Sequence, residues 1–267
     1  MSFERATMVV RFRYSKLGKI RFTSQRDVAR MWERALRRCR MPVDWSCGFS
    51  PRPLLSFGLA LPTGAESLGE YLDVQLAPVG SCAPVAVAEH RGSLSGRVAS
   101  CELLSRLLPE GIDVQAQGIL PMGSLSLQQE VSSCSWELDI GGVSEEQMAS
   151  RIDSVLAAQE ILVRRERKGR EVEDDLRPSI KELAVRTVDR DRPVATSSAT
   201  RVVATLATRP RGVRPGELLQ GLGTDLVLVR ARRTHQWIEH GDGRWEPLSA
   251  CGDLPGLVAQ HAQERAS

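Results

Sequence analysis

The residues with the clearest chemical potential lie in one stretch, 46–71, SCGFSPRPLLSFGLALPTGAESLGEY. Pro51 and Pro53 bracket Arg52. Each proline fixes its own φ and drives its predecessor toward extended geometry, so residues 50–53 are expected to form a stiff, extended arm. Gly48 permits a sharp turn into the arm, and Phe49 is large enough to pin one end in a core. Pro62 and Gly64 mark a second tight turn. Two readings stand side by side. The arm is a rigid connector that holds strands in register, or it presents Arg52 and nearby amides to an anion.

Other chemistries find less support. A G-x-S-x-G elbow, a P-loop, a Rossmann glycine fingerprint and an H-E-x-x-H helix do not occur. Of the four histidines (His90, His235, His240 and His261), His235 and His240 lie near Asp242 but lack a third positioned ligand. They read as surface histidines, and neither a metal nor a cofactor is expected. The six cysteines, Cys39, Cys47, Cys82, Cys101, Cys134 and Cys251, form no C-x-x-C pair and read as reduced structural thiols. Asp174 and Asp175 read as a solvated acidic turn. Arg177 could hold a carboxylate or phosphate with its two-pronged guanidinium, or tie a loop to its own domain. No acid–base pair can be placed, so the chain leans away from catalysis.

The net charge is only +3 over 267 residues, but its distribution is uneven. Residues 1–53 carry +9, residues 54–160 carry −10 and residues 161–267 carry +4. A basic head against an acidic middle points to an anionic partner at one place. Only four of the 36 basic residues are lysines, and arginine is the better fork for phosphate. No apolar run is long enough to span a bilayer and the N-terminus has no secretory core, so a cytoplasmic protein without a membrane partner is expected.

The elements that must position these residues follow from periodicity. Residues 8–14 alternate, with Val10, Phe12 and Tyr14 on one face of a strand and Arg11 and Arg13 on the other. Residues 25–39 place Val28, Met31, Trp32, Ala35, Leu36 and Cys39 on one helical face, opposite Arg26, Arg30, Arg34, Arg37 and Arg38. Thr23 or Ser24 can cap this helix, with Asp27 three residues after Ser24. A strand region within the 46–71 stretch is expected next, then a strand over 70–76 with Tyr71 on its outer face, a weak helix over 83–108 and a strand over 112–119. That is a βαββαβ order. After a polar junction at 121–130 the order repeats. It comprises a strand over 134–140, a helix capped by Ser144 with Gln147, strands over 160–166, 183–187 and 201–207, a helix from Pro215, and a last strand over 226–233. The expected fold is therefore α+β: two tandem ferredoxin-like domains with antiparallel sheets. The first occupies 1–123, the second, carrying an insertion, occupies 131–235, and a loose tail occupies 236–267.

Nucleic-acid binding is the best-supported chemistry. Arg11, Arg13, Lys16, Lys19, Arg21, Arg30, Arg34, Arg37 and Arg52 form the expected phosphate surface, with salt-dependent affinity. Gly48, Phe49, Pro51 and Pro53 would shape the arm, and Glu70 and Arg177 would make polar contacts at a cleft between domains. With aromatic residues at 4% of the chain and no ribonucleoprotein signature, base stacking is not expected to dominate.

Taken together, RFRYSKLGKIRFTSQRDVARMWERALRRC, GFSPRP, SFG and LPTGAESLGEYLDV, with DLRPSIKEL and RPGELL later, carry a resemblance. The sequence resembles the radical-SAM-linked domain family of bacterial proteins, fused to or encoded beside radical SAM proteins. Where that family commonly has His between the prolines this chain has Arg52, which favours anion contact over proton transfer there. The resemblance implies a radical SAM partner and an RNA-modification or translation-linked setting. This chain has no C-x-x-x-C-x-x-C cluster motif of its own. Three functions remain open at this point: an accessory RNA- or phosphate-ligand-binding protein, an RNA-processing or RNA-modifying enzyme with an inter-domain site, and a module that binds the radical SAM partner without nucleic acid.

Overall fold

The computed structural model describes residues 8–78, 98–121, 123–167, 169–186, 199–241 and 243–248. The first part of the expected 83–108 helix, most of the 188–199 connection and the end of the tail lie outside them. The chain forms two compact units, one of Met1–Thr63, Gly69–Glu130 and Pro247–Ser267, the other of Gly64–Leu68 and Val131–Glu246. Both are mixed α+β with mostly antiparallel strands. Among the described residues no helix is long and apolar enough to cross a membrane.

In the first unit, β1 (Met8–Lys16) leads through a 3₁₀ turn (Gly18–Phe22) into α1 (Gln25–Arg38), then β2 (Leu55–Phe57), β3 (Glu66–Leu76), α2 (Cys101–Leu107) and β4 (Ile112–Ile119). The strands lie in the order β4-β1-β3, with β2 antiparallel on β3. The alternation of β1 works as the sequence demands. Val10, Phe12 and Tyr14 join Leu72, Val74 and Leu76 of β3 and Val28, Trp32, Ala35 and Leu36 of α1 in one core. Trp32 is its anchor, with ring centroids 5.6 Å from Phe12 and 5.2 Å from Tyr14. Truncating such a side chain to alanine typically costs about 3–5 kcal/mol.

The opposite face of the sheet departs from expectation. Arg11 and Arg13 are buried, as are Asp73 and Tyr71. The polar junction is the cause. Residues Leu127–Glu130 form a short helix, α3, with Leu127 wholly buried, and Glu130 accepts from Arg11. Tyr71 donates its hydroxyl to the Leu248 carbonyl at 3.3 Å, so it is an interior residue and not an outer-face aromatic. Both sides of this sheet are therefore covered, and alternation alone cannot tell a solvated polar face from one sealed around ion pairs.

In the second unit, β5 (Ser133–Gly141) is followed by α4 (Glu145–Ala157), β6 (Leu162–Arg167), β7 (Arg170–Asp175), a 3₁₀ turn (Arg177–Ser179), β8 (Ile180–Val185), β9 (Thr200–Ala207), α5 (Pro215–Leu222), β10 (Val227–His240) and β11 (Gly243–Trp245). The strand order is β10-β5-β9-β8, with β11 on β10. The first residues of β3 also belong here, because Glu66 and Ser67 pair in parallel with Arg232 and Arg233. The Ser144 capping box forms as expected, each side chain accepting from the other's backbone. Asp174 and Asp175 do not form a turn. They end β7, which pairs with β6 in a separate two-stranded ribbon. The expected tail begins too early, since β10 runs to His240 and Trp245 lies on β11. A 14-residue strand whose polar residues are matched by ion pairs carries no clean hydrophobic alternation to announce its end.

Candidate nucleic-acid interface

Helix α1 is held by its apolar face, which leaves its arginines outward. Ser24 caps it by accepting from the Asp27 amide at 3.2 Å. Arg26, Arg30, Arg34, Arg37 and Arg38 are all exposed. The first four recur at i, i+4, i+8 and i+11, a stripe about 16 Å long at 1.5 Å per residue. One loose contact falls on it, Arg30 to Asp27 at 3.7 Å. The hydrogen bond from Ser24 and the neighbouring arginines hold the Asp27 carboxyl below the usual carboxylate range.

The helix ends in a Schellman motif, with Arg40 N–H donating to the Arg37 carbonyl at 3.1 Å and Met41 N–H to the Leu36 carbonyl at 3.0 Å. The residue at the left-handed position is Arg40, with φ 56°. Glycine is the usual occupant, because a side chain there costs about 1–2 kcal/mol. Arg40 is exposed and adds a sixth guanidinium beyond the last turn.

The other expected phosphate contacts divide. Lys19 is exposed on the 3₁₀ turn, and Arg21 lies over the exposed Phe22 ring at 4.6 Å. Arg11 is 2% exposed, and its Nε and Nη2 donate to the two oxygens of Asp73 at 2.7 and 2.8 Å. Burial works against its charge, but Asp73 and then Glu130 outweigh it and raise its pKa. Arg13 packs its guanidinium against β3 at Gly69, where an added Cβ would sit 3.2 Å from Nη2. Lys16 donates to the Thr23 carbonyl at 2.9 Å. Burial pushes its ammonium below the ordinary lysine range, against the pull of the buried Glu70. Arg11, Arg13 and Lys16 thus serve the interior. Arg177 donates to the Leu156 carbonyl at the end of α4, at 3.0 Å, a local tie within its own unit.

The arm is a closed hairpin. Trp45 bridges Pro53, Ser46 N–H donates to the Arg52 carbonyl at 2.8 Å, and Arg52 N–H donates to Ser46 Oγ at 3.0 Å. Residues 47–51 form its tip, with Gly48 at φ 137°. Phe49 does not pin the arm into a core. It stands fully exposed at 111% of the reference area, and Arg52 is exposed beside it. The reason is the ladder beneath. Paired main chain at 44–46 and 52–54 fixes the tip outward and keeps the ring from folding back. Below the arm, Pro53, Leu55, Val9 and Leu120 line a cavity of about 410 Å³ with Asp73 facing it. Both oxygens of that carboxylate are engaged by Arg11, which suits structure over proton transfer.

The second unit holds polar clusters that sequence reading missed. Asp139 accepts from Arg201 Nε at 2.8 Å and from Arg230 Nη2 at 2.6 Å, all on adjacent strands. His235 stacks on Trp237 at 4.8 Å, Arg244 lies over the same ring system at 4.1 Å, and Trp237 Nε1 donates to Ser135 Oγ at 2.8 Å. The i, i+2 spacing of His235 and Trp237 was the available signal, but it required recognising a strand there.

No curated protein matches the chain. Among solved structures, one chain of a structure described as a Cbf5-Nop10-Gar1 complex is similar at 10% identity with a TM-score of 0.43, over 84% of this chain and 49% of that one. This chain therefore spans about half the length of that match. A family profile described as an uncharacterized protein conserved in bacteria (DUF2344) matches residues 10–215, from Val10 in β1 to Pro215 in the first turn of α5. That span takes in the arginine helix, the proline hairpin and the strands through β9, and the chain belongs to this family of bacterial proteins.

Proposed function

We propose that this protein is an accessory RNA-binding protein that holds a phosphate-bearing strand on helix α1 and works with a radical SAM partner. The observation that carries the reading is the row of exposed arginines, Arg26, Arg30, Arg34, Arg37, Arg38 and Arg40, on an element locked to the core by Trp32. Six guanidinium groups along α1 and just past its C-terminus are unfavourable next to one another in low salt and become favourable against a polyanion. The same proposal includes the finer fold. The orders β4-β1-β3-β2 and β10-β5-β9-β8, each with a helix after its first and third strands, support two ferredoxin-like domains, with the β6–β7 ribbon as an insertion. The radical SAM partner rests on the sequence resemblance.

The test is a titration of labelled single-stranded RNA by anisotropy over a salt series. With six contacts the slope of log K against log salt is expected near −4, about a hundredfold loss or more between 50 and 200 mM. A slope near zero, or no binding at low salt, overturns the reading. For the partner, co-purification with a radical SAM protein, retained after nuclease treatment, is the expected result.

A further inference from the structure

We propose that Phe49 is a base-stacking residue, so that the polyanion held by α1 is a single-stranded nucleic acid whose bases are read at the tip of the proline hairpin. This rests on the phosphate-binding role of α1 and goes beyond it, because arginines alone accept any polyanion. A singly exposed apolar side chain is ordinary and needs no explanation. Phe49 differs in how it is held. The hairpin beneath it is closed on both sides by Ser46 and Arg52 and bridged at Trp45 and Pro53, with Pro51 and Pro53 stiffening the return strand. The backbone that carries the ring is held by the hairpin, so part of the ordering cost of a stacking platform is already met.

Its surroundings choose the partner. Arg52 follows it by three residues on the hairpin and is exposed. Arg40, just past the end of α1, is five residues before Trp45 at the hairpin's base, so the Cα atoms of Arg40 and Trp45 lie no more than about 17 Å apart. An aromatic ring on the same hairpin as an exposed guanidinium suits alternating base and phosphate, whereas an apolar protein partner would leave that charge unpaired. A duplex hides its base faces and cannot use the ring. Only an unpaired strand offers both parts.

The experiment uses the full chain with three probes: a labelled single-stranded oligouridylate 12-mer, an RNA duplex of the same length, and inorganic polyphosphate as competitor. Because Phe49 is fully exposed, Phe49→Ala is expected to keep the wild-type melting curve. It should weaken the single strand about tenfold, leave the salt slope unchanged, and leave duplex and polyphosphate binding as in wild type. Phe49→Tyr should restore the single-strand affinity. Unchanged single-strand affinity in Phe49→Ala with the salt slope intact overturns the stacking role and leaves the α1 reading standing. Equal weakening on all three probes also overturns it, as does loss of a co-purifying protein with oligonucleotide binding unaltered. Absence of salt-dependent binding in wild type sinks both.

Discussion

Replacing Arg40 by glycine should make the protein more stable and a poorer binder at once. The left-handed φ of 56° costs a side chain about 1–2 kcal/mol, whereas glycine adopts it freely. Glycine gives back about 0.5–1 kcal/mol through the greater freedom of the unfolded chain. The net gain is therefore about 0.5–1 kcal/mol, and the Schellman bonds to Arg37 and Leu36 are main-chain and survive the change. For a chain of this size that is a rise of about 2 °C in Tm. The removed guanidinium is exposed, so no buried partner is orphaned. On the binding side, one lost phosphate contact lowers the salt slope by about 0.7 for a single strand. Arg40→Asn separates the two effects, since asparagine tolerates the conformation and carries no charge. Thermal unfolding followed by circular dichroism reads the first effect and RNA anisotropy over salt reads the second. If Arg40→Gly melts lower than wild type, the strain argument is wrong. If it melts higher with an unchanged slope, Arg40 is no part of a phosphate surface.

Other outcomes follow from the same structure. Asp73→Asn leaves the buried Arg11 with Glu130 alone at 3.4 Å and should cost about 3 kcal/mol in urea unfolding with no change of salt slope; a loss under about 1 kcal/mol would mean that the pair is solvated. Asp225 is held down to about 2 from 3.8, first by its hydrogen bond from Arg151. Its folded pKa lies below its unfolded one, so the pair's contribution is complete above about pH 4 and disappears as pH falls through about 2. The Tm difference between wild type and Arg151→Gln should accordingly vanish near pH 2; a difference that persists there would contradict the assignment. Cys47 is exposed at the hairpin tip while Cys134 is buried, so peptide mapping after brief alkylation should find Cys47 modified and Cys134 protected until denaturant is added.

How much of this was legible in the sequence depends on the range of the physics involved. Helix α1, its Ser24 cap, the capping box at Ser144 and the inward faces of β1 and β3 are set within a few residues, by periodicity and by side chains that bond their own backbone. The arginine stripe follows directly, because fixing the apolar face of a helix fixes the opposite one. The sequence also determined that Pro51 and Pro53 would stiffen the arm. What it could not determine is which polar residues meet water. Arg11 and Asp73 are 62 residues apart, and only the sheet order and the α3 segment laid over it turn two charges into a sealed pair. Phe49 went the other way, because a hydrogen-bonded ladder between residues 44–46 and 52–54 outweighs the pull of one ring toward a core. Local order is encoded by neighbours along the chain, whereas solvent exposure belongs to whatever comes to rest on top. That covering layer was decided by the tertiary structure alone.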